Sequence, residues 1–95
     1  MNGTYIHKDF NLNRGDIVQV TIDIQANVVL LDSSDFQNFK AGRGFQYHGG
    51  RYDKSPVRIV VPSTGHWYVV IYGWGSGTLR YSVNILTCST LRSKF

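Results

Sequence analysis

From Asp16 to Ile24 the chain alternates. Val18, Val20, Ile22 and Ile24 point one way, and Gln19, Thr21 and Asp23 the other. That period predicts a half-buried strand. Ala26 to Leu31 (ANVVLL) is apolar on both faces and predicts a second, more central strand. Before them, residues 1–15 read as polar and turn-rich, with Phe10 and Leu12 as anchors on the core. After them comes the one helix signal. Ser33, Ser34 and Asp35 offer capping oxygens, Phe36 and Phe39 sit three apart, and Gly42 is placed to stop the turn. A short helix over 34–41 follows, packing two phenylalanines on the core.

Residues 42–54 (GRGFQYHGGRYDK) are glycine-rich and basic. Phe45 and Tyr47 alternate as on a short strand, and Gly49-Gly50 signals a turn. Val57, Ile59 and Val61 form the inward side of a strand bounded by Pro56 and Pro62. Strands at 57–61, 67–72 and 78–86, joined by turns at 63–66 and 73–77, predict a C-terminal three-strand meander. In it Trp67, Val69 and Ile71 share an apolar face with Val57, Ile59, Val61, Leu79, Tyr81 and Val83. The fold class is mainly β: a compact antiparallel sandwich or partly open barrel with that meander and one short helix.

Length and composition narrow this. The 95 residues make one domain, with a core over about 5–86 and a short tail at 87–95. Six Asp, no Glu and ten Lys and Arg give a net charge of +4, which favours anionic partners. The missing Glu also suits a strand-rich fold. A single cysteine, Cys88, allows no internal disulfide and fits a reducing compartment. The N-terminus lacks the apolar core of a signal peptide, and no apolar run reaches membrane-spanning length. A cytoplasmic location without membrane contact is the expectation.

Catalysis finds little support. His7, His48 and His66 are scattered, so no metal site is expected, and no cofactor motif is present. Ser63 or Thr64 beside His66 reads as a turn before it reads as a nucleophile. The six Asp sit at turns or strand ends, where capping is their usual work. The outward side of the meander is the first candidate surface. It places Arg58, Val70 and Arg80 in one row, flanked by Tyr68 and Tyr72. Guanidinium groups pair with phosphate and phenol rings stack on a base. A second candidate is the glycine-rich segment, where Arg43, Tyr47, His48 and Arg51 cluster and glycines admit close backbone approach. A third is Trp74 in the turn GWGSG, expected to be partly exposed.

DFNLNRGD at 9–16, QANVVLLD at 25–32, YHGG at 47–50, SPVRIVVP at 55–62 and GHWYVVI at 65–71 together resemble the bacterial domain of unknown function 1883 family. The resemblance spans roughly residues 5 to 86. It implies a compact, strand-rich fold with no established catalytic residues. Some members are joined to a Toll/interleukin-receptor (TIR) domain, a class that in bacteria often makes or senses nucleotide signals derived from NAD. The resemblance hands over no ligand and no binding residue.

The function expected is a non-catalytic binding module for a small anionic, nucleotide-like ligand. It would sense or sequester an immune signal, as a phage sponge or a TIR-associated unit, with a homo-oligomer as one way to build the pocket. The alternative is a protein–protein adaptor or inhibitor docking on a TIR-type defence protein. Single-stranded nucleic-acid binding ranks third, because a charge of +4 is small for a polyanion partner.

Overall fold

The computed structural model describes residues 5–75 and 77–87. Cys88 and the tail from 88 onward lie outside the described residues, as does Ser76 of the GWGSG turn. Along the chain run β1 (Tyr5–Leu12), β2 (Ile17–Ile22), β3 (Ala26–Asp32), α1 (Ser33–Lys40), β4 (His48–Tyr52), β5 (Val57–Val60), β6 (Gly65–Tyr72) and β7 (Tyr81–Leu86). The strands form two antiparallel sheets, ordered β1-β6-β3-β4 and β5-β2-β7. They stack as a sandwich, and α1 lies on the outer side of the larger sheet.

The alternation of β2 is the simplest case. Val18, Val20 and Ile22 are buried, while Ile17, Gln19 and Thr21 face outward. Opposite them, Val28 and Leu30 of β3 and Trp67, Val69 and Ile71 of β6 complete the core between the sheets, with Val57, Ile59 and Val61. A second, smaller core lies on the far side of the larger sheet, where Val29, Leu31 and Val70 meet Phe36 and Phe39 of α1.

The three C-terminal segments are strands, but they form no meander. β5 pairs with β2, β6 lies between β1 and β3, and β7 pairs with β2. The apolar side chains expected to share one face do share one core, because they meet across the sandwich instead of side by side. Tyr81 is the exception: at the start of β7 it is exposed. Alternation tells which side of a strand faces inward, and it is silent on which strand lies beside it.

Three local expectations also change. The segment at 5–12 is a full edge strand and not a turn-rich lead. Ile6, Phe10 and Leu12 point inward, but exposed Lys8, opposite Val69, interrupts the series and hides its period. Gly49-Gly50 is no turn, since both lie within β4 beside Val29 and Val28. Gly49 sits at φ 116°, and a Cβ there would collide with the Val28 carbonyl oxygen, so glycine is needed for close strand approach. Phe45 and Tyr47 belong to the loop before β4, not to a strand.

The helix starts one residue early. Its cap is Asp32, whose Oδ1 accepts the Asp35 N–H at 2.8 Å. It ends at Lys40 with Ala41 as its cap, and beyond it Gly42 takes φ 76°, with the Arg43 N–H donating to the Asn38 carbonyl and the Gly42 N–H to the Phe39 carbonyl. That pair of bonds satisfies two carbonyls that a helix end leaves open. Among the described residues, no helix is long and apolar enough to cross a membrane.

Trp67 is 7% exposed and its indole N–H donates to the Ser63 carbonyl at 2.8 Å. Trp67→Ala is expected to lower unfolding free energy by roughly 3–5 kcal/mol. Val60→Thr, on the open face of the smaller sheet, should stay within about 0.5 kcal/mol. Urea denaturation of both checks this, and a Trp67→Ala midpoint equal to that of the parent would remove Trp67 from the core.

Candidate functional site

At the end of the sandwich where β3 passes into α1, two adjoining hollows share Asp32 and Trp67 as a common wall. The larger, about 370 Å³, is lined by Ser33 and Ser34 of the first helical turn and by Ser63, Thr64, Gly65 and His66 of the turn into β6. The smaller, about 130 Å³, is lined by Leu30, Asp35, Gln46, Tyr47 and His48. No single stretch of chain makes this cleft. The strand pairing of Asp32 with Trp67 and of Leu30 with His48 brings its three segments together.

Its walls are held by backbone bonds. Asp35 Oδ1 accepts the Gln46 N–H at 3.1 Å, fixing the loop that carries Tyr47. Thr64 Oγ1 accepts the Arg14 N–H at 3.0 Å. His66 is clamped from β1, its Nδ1 2.8 Å from Asn11 Oδ1 and its Nε2 2.8 Å from Asp9 Oδ2. Both imidazole nitrogens are therefore engaged away from Ser63 and Thr64. His48 meets the edge of the Trp67 ring at 5.9 Å. Among the described residues, the charged side chains in this lining are aspartates, with no lysine or arginine.

The nine residues singled out from the sequence do not assemble. Tyr68 and Tyr72 lie on the outward side of the larger sheet, half-buried under α1. Phe36 stacks on Tyr68 at 4.2 Å and Phe39 lies 5.2 Å from Tyr72. Val70 between them is fully buried. Arg58 is exposed on the smaller sheet, on the other side of the sandwich, with Nε donating to Gln19 Oε1 at 2.9 Å. Arg80 is also exposed and borders a shallow recess with Thr21, Asp23 and Tyr81. The expected row of Arg58, Val70 and Arg80 beside two tyrosines thus does not form, because Arg58 and Val70 belong to different sheets and Arg80 lies in the segment before β7.

The glycine-rich segment is split as well. Arg43 reaches Asn38 at the end of α1, and Arg51 donates to the Gly73 carbonyl at 3.1 Å. Tyr47 and His48 alone of the nine line the cleft. Trp74 folds back, partly buried against the core between the sheets. Missing from the sequence reading as binding groups were Asp32, Ser33, Ser34, Asp35, Gln46 and Gly65. Their local patterns are those of a helix cap and turns, and only the fold joins positions thirty residues apart. Among the described residues, no group of three or more His, Cys, Asp or Glu is placed to hold a metal ion.

In comparison with known proteins, the sequence model of the family described as "Domain of unknown function (DUF1883)" matches residues 4–89. No curated protein and no solved structure matches the chain.

Burial beneath α1 raises the Tyr72 phenol above its usual range, and Tyr47 nearby adds to the shift. A phenol whose folded value is raised contributes stability below about pH 10, the unfolded value, and loses it as pH climbs further, since the unfolded chain ionises first. Thermal melts between pH 9 and 11 should fall more steeply for the parent than for Tyr72→Phe. Equal slopes would show that the Tyr72 hydroxyl does not feel its burial.

Proposed function

This chain belongs to the DUF1883 family, whose description assigns no activity, and we propose from its own geometry that it is a non-catalytic binding module for a small anionic ligand of nucleotide-like build. The observation that carries the reading is the two-part cleft. Its larger hollow offers four hydroxyls and, at the start of α1, the Ser33 and Ser34 N–H groups, which have no intrahelical acceptor, while that of Asp35 is already held by Asp32 Oδ1. Such a setting accepts a phosphate. Its smaller hollow offers the ring systems of Tyr47 and His48 against Trp67, with the Gln46 amide at the edge, as a flat heterocycle requires. The site differs from the arginine–tyrosine surface expected from sequence, while the ligand class is kept.

The absence of catalysis in this reading is supported by His66. With Asn11 and Asp9 holding its two nitrogens, it is not poised to take a proton from Ser63 or Thr64, as a nucleophile–base pair demands. Sensing or sequestering an immune signal in the cytoplasm remains the biological form proposed for such capture.

A second reading, a protein–protein adaptor, has its own observation. On the open side of the smaller sheet, Val60 is 61% exposed in register with Ile17 and Leu86, and beside that apolar row Arg58 is held by Gln19. Aliphatic side chains next to an ordered arginine are interface materials. Nucleic-acid binding ranks below both, because Arg43, Arg51, Arg58 and Arg80 spread over several faces instead of forming a stripe.

Isothermal titration against AMP, ADP-ribose isomers and cyclic dinucleotides tests the cleft. Saturable micromolar binding is expected with at least one. Gly65→Leu should abolish it without unfolding, since a Cβ at Gly65 meets only the Trp67 indole nitrogen at 3.9 Å. The Arg58→Ala, Arg80→Ala double variant should bind as the parent does. Heat from none of these ligands would end the capture reading, and loss of binding in the double variant would move the site to the smaller sheet.

A further inference from the structure

β1 ends the larger sheet, and among the described residues one of its backbone edges meets no strand. Its outward row is already engaged. Asn11 and Asp9 hold His66 at 2.8 Å, His7 lies 5.0 Å from the Phe36 ring, and Tyr5 meets Phe39 edge-on at 5.1 Å. The inward row is unfinished. Leu12 is buried, but Ile6 and Phe10 are only half-buried where they pack on the core between the sheets, and Lys8 between them is exposed. Among the described residues the Lys8 ammonium has no hydrogen bond or ion pair. The smaller sheet gives this flank little cover. A Cβ on Gly49 of β4 would lie 3.1 Å from Ile59 of β5, so those two strands close one flank and leave β1 and β7 at the other. Val57 and Ile59 on β5 are buried, whereas in the inward row of β7 Tyr81 is exposed and Val83 and Ile85 are half-buried.

We infer that the β1 edge takes an extended peptide segment of a partner protein as a further strand, one carrying a carboxylate between two apolar side chains at alternate positions. This surface is independent of the cleft. Strand addition draws affinity from main-chain hydrogen bonds and specificity from every second side chain. In either direction of pairing, one partner residue stands directly opposite Lys8, and those two before and two after it stand opposite Ile6 and Phe10. A carboxylate at the centre meets the unpaired ammonium, and apolar neighbours complete the burial of Ile6 and Phe10. A basic residue at the centre sets like charges face to face, which destabilises the pair. An inward lysine on an edge strand is also a common guard against any added strand. The two roles part at the acid: a guard turns away strands of every pattern, and a selector admits the acidic one.

Two end-capped peptides, Thr-Val-Thr-Glu-Thr-Val-Thr and its counterpart with Lys at the centre, test this on the full chain by NMR titration of the backbone amides. The Glu peptide is expected to shift the amides of β1 and to bind about tenfold tighter than the Lys peptide, the swing between an opposite-charge and a like-charge cross-strand pair. In Lys8→Glu the preference should reverse. Methylating the peptide nitrogens along one edge should abolish binding, and methylating those along the other should leave it intact, as pairing through one edge demands. The comparison on the parent chain decides alone if Lys8→Glu does not fold. Equal affinity for the two peptides overturns the inference, as does the lack of shifts with either at millimolar concentration, which leaves Lys8 a guard only. Shifts at Ile17 and Val60 in place of β1 would move the peptide to the open face of the smaller sheet and overturn it too. So would β1 shifts on dilution of the free chain, since these would put a second copy on the edge.

Discussion

Val28 and Leu30 point to one side of β3, Val29 and Leu31 to the other, and all four are buried. Val69 and Ile71 on β6 pair this way with Val70. Each such side chain gains about 1.5–3 kcal/mol by leaving water, so neither side of these two central strands can stay uncovered. The smaller sheet closes one side. The other is covered by α1, whose Phe36 and Phe39 stack over Val29, Leu31 and Val70. The need to cover a sheet twice therefore dictates the layer order, and it requires the chain to turn sharply from β3 into α1 at Asp32. The cleft is the hollow left at that change of layer.

Much of the fold was legible because it rests on period. The inward side of β2, the two-sided burial of β3, the two helical phenylalanines and the buried Trp67 are all local patterns that tertiary contacts left intact. What stayed hidden was partnership. A strand such as Val57–Val60 presents the same alternation whether its neighbour lies beside it or across the sandwich, so the meander and the faces drawn on it were equally consistent with the residues. β1 was hidden for a different reason: Lys8 occupies an inward position, and one charge is enough to break a short period. Gly49 misled because its glycine serves close approach to Val28 and not a turn.

The candidate site was legible only in fragments, Tyr47 and His48. Arg58 and Arg80 were prominent in the sequence because cations beside aromatics suggest anion capture. In the folded chain the rings beside them in that scheme are already used: Tyr68 and Tyr72 are packed with Phe36 and Phe39. The cleft instead draws on residues whose first duty is backbone geometry. Asp32 caps a helix, Asp35 ties a loop, and Trp67 anchors the turn at Ser63. Such groups are pre-positioned by the fold's own hydrogen bonds, so a ligand meets them without having to order them.

Lys8 carries one more implication. β1 is eight residues long and, among the described residues, has one backbone edge unpaired, the kind of rim on which sheets extend from molecule to molecule. Two copies joined there about a twofold axis must match residues that face the same way. The central alignments then oppose Lys8 to Lys8 or Asp9 to Asp9, like charges in direct apposition. The residue that obscured the strand in the sequence thus disfavours the pairing of two copies along this rim.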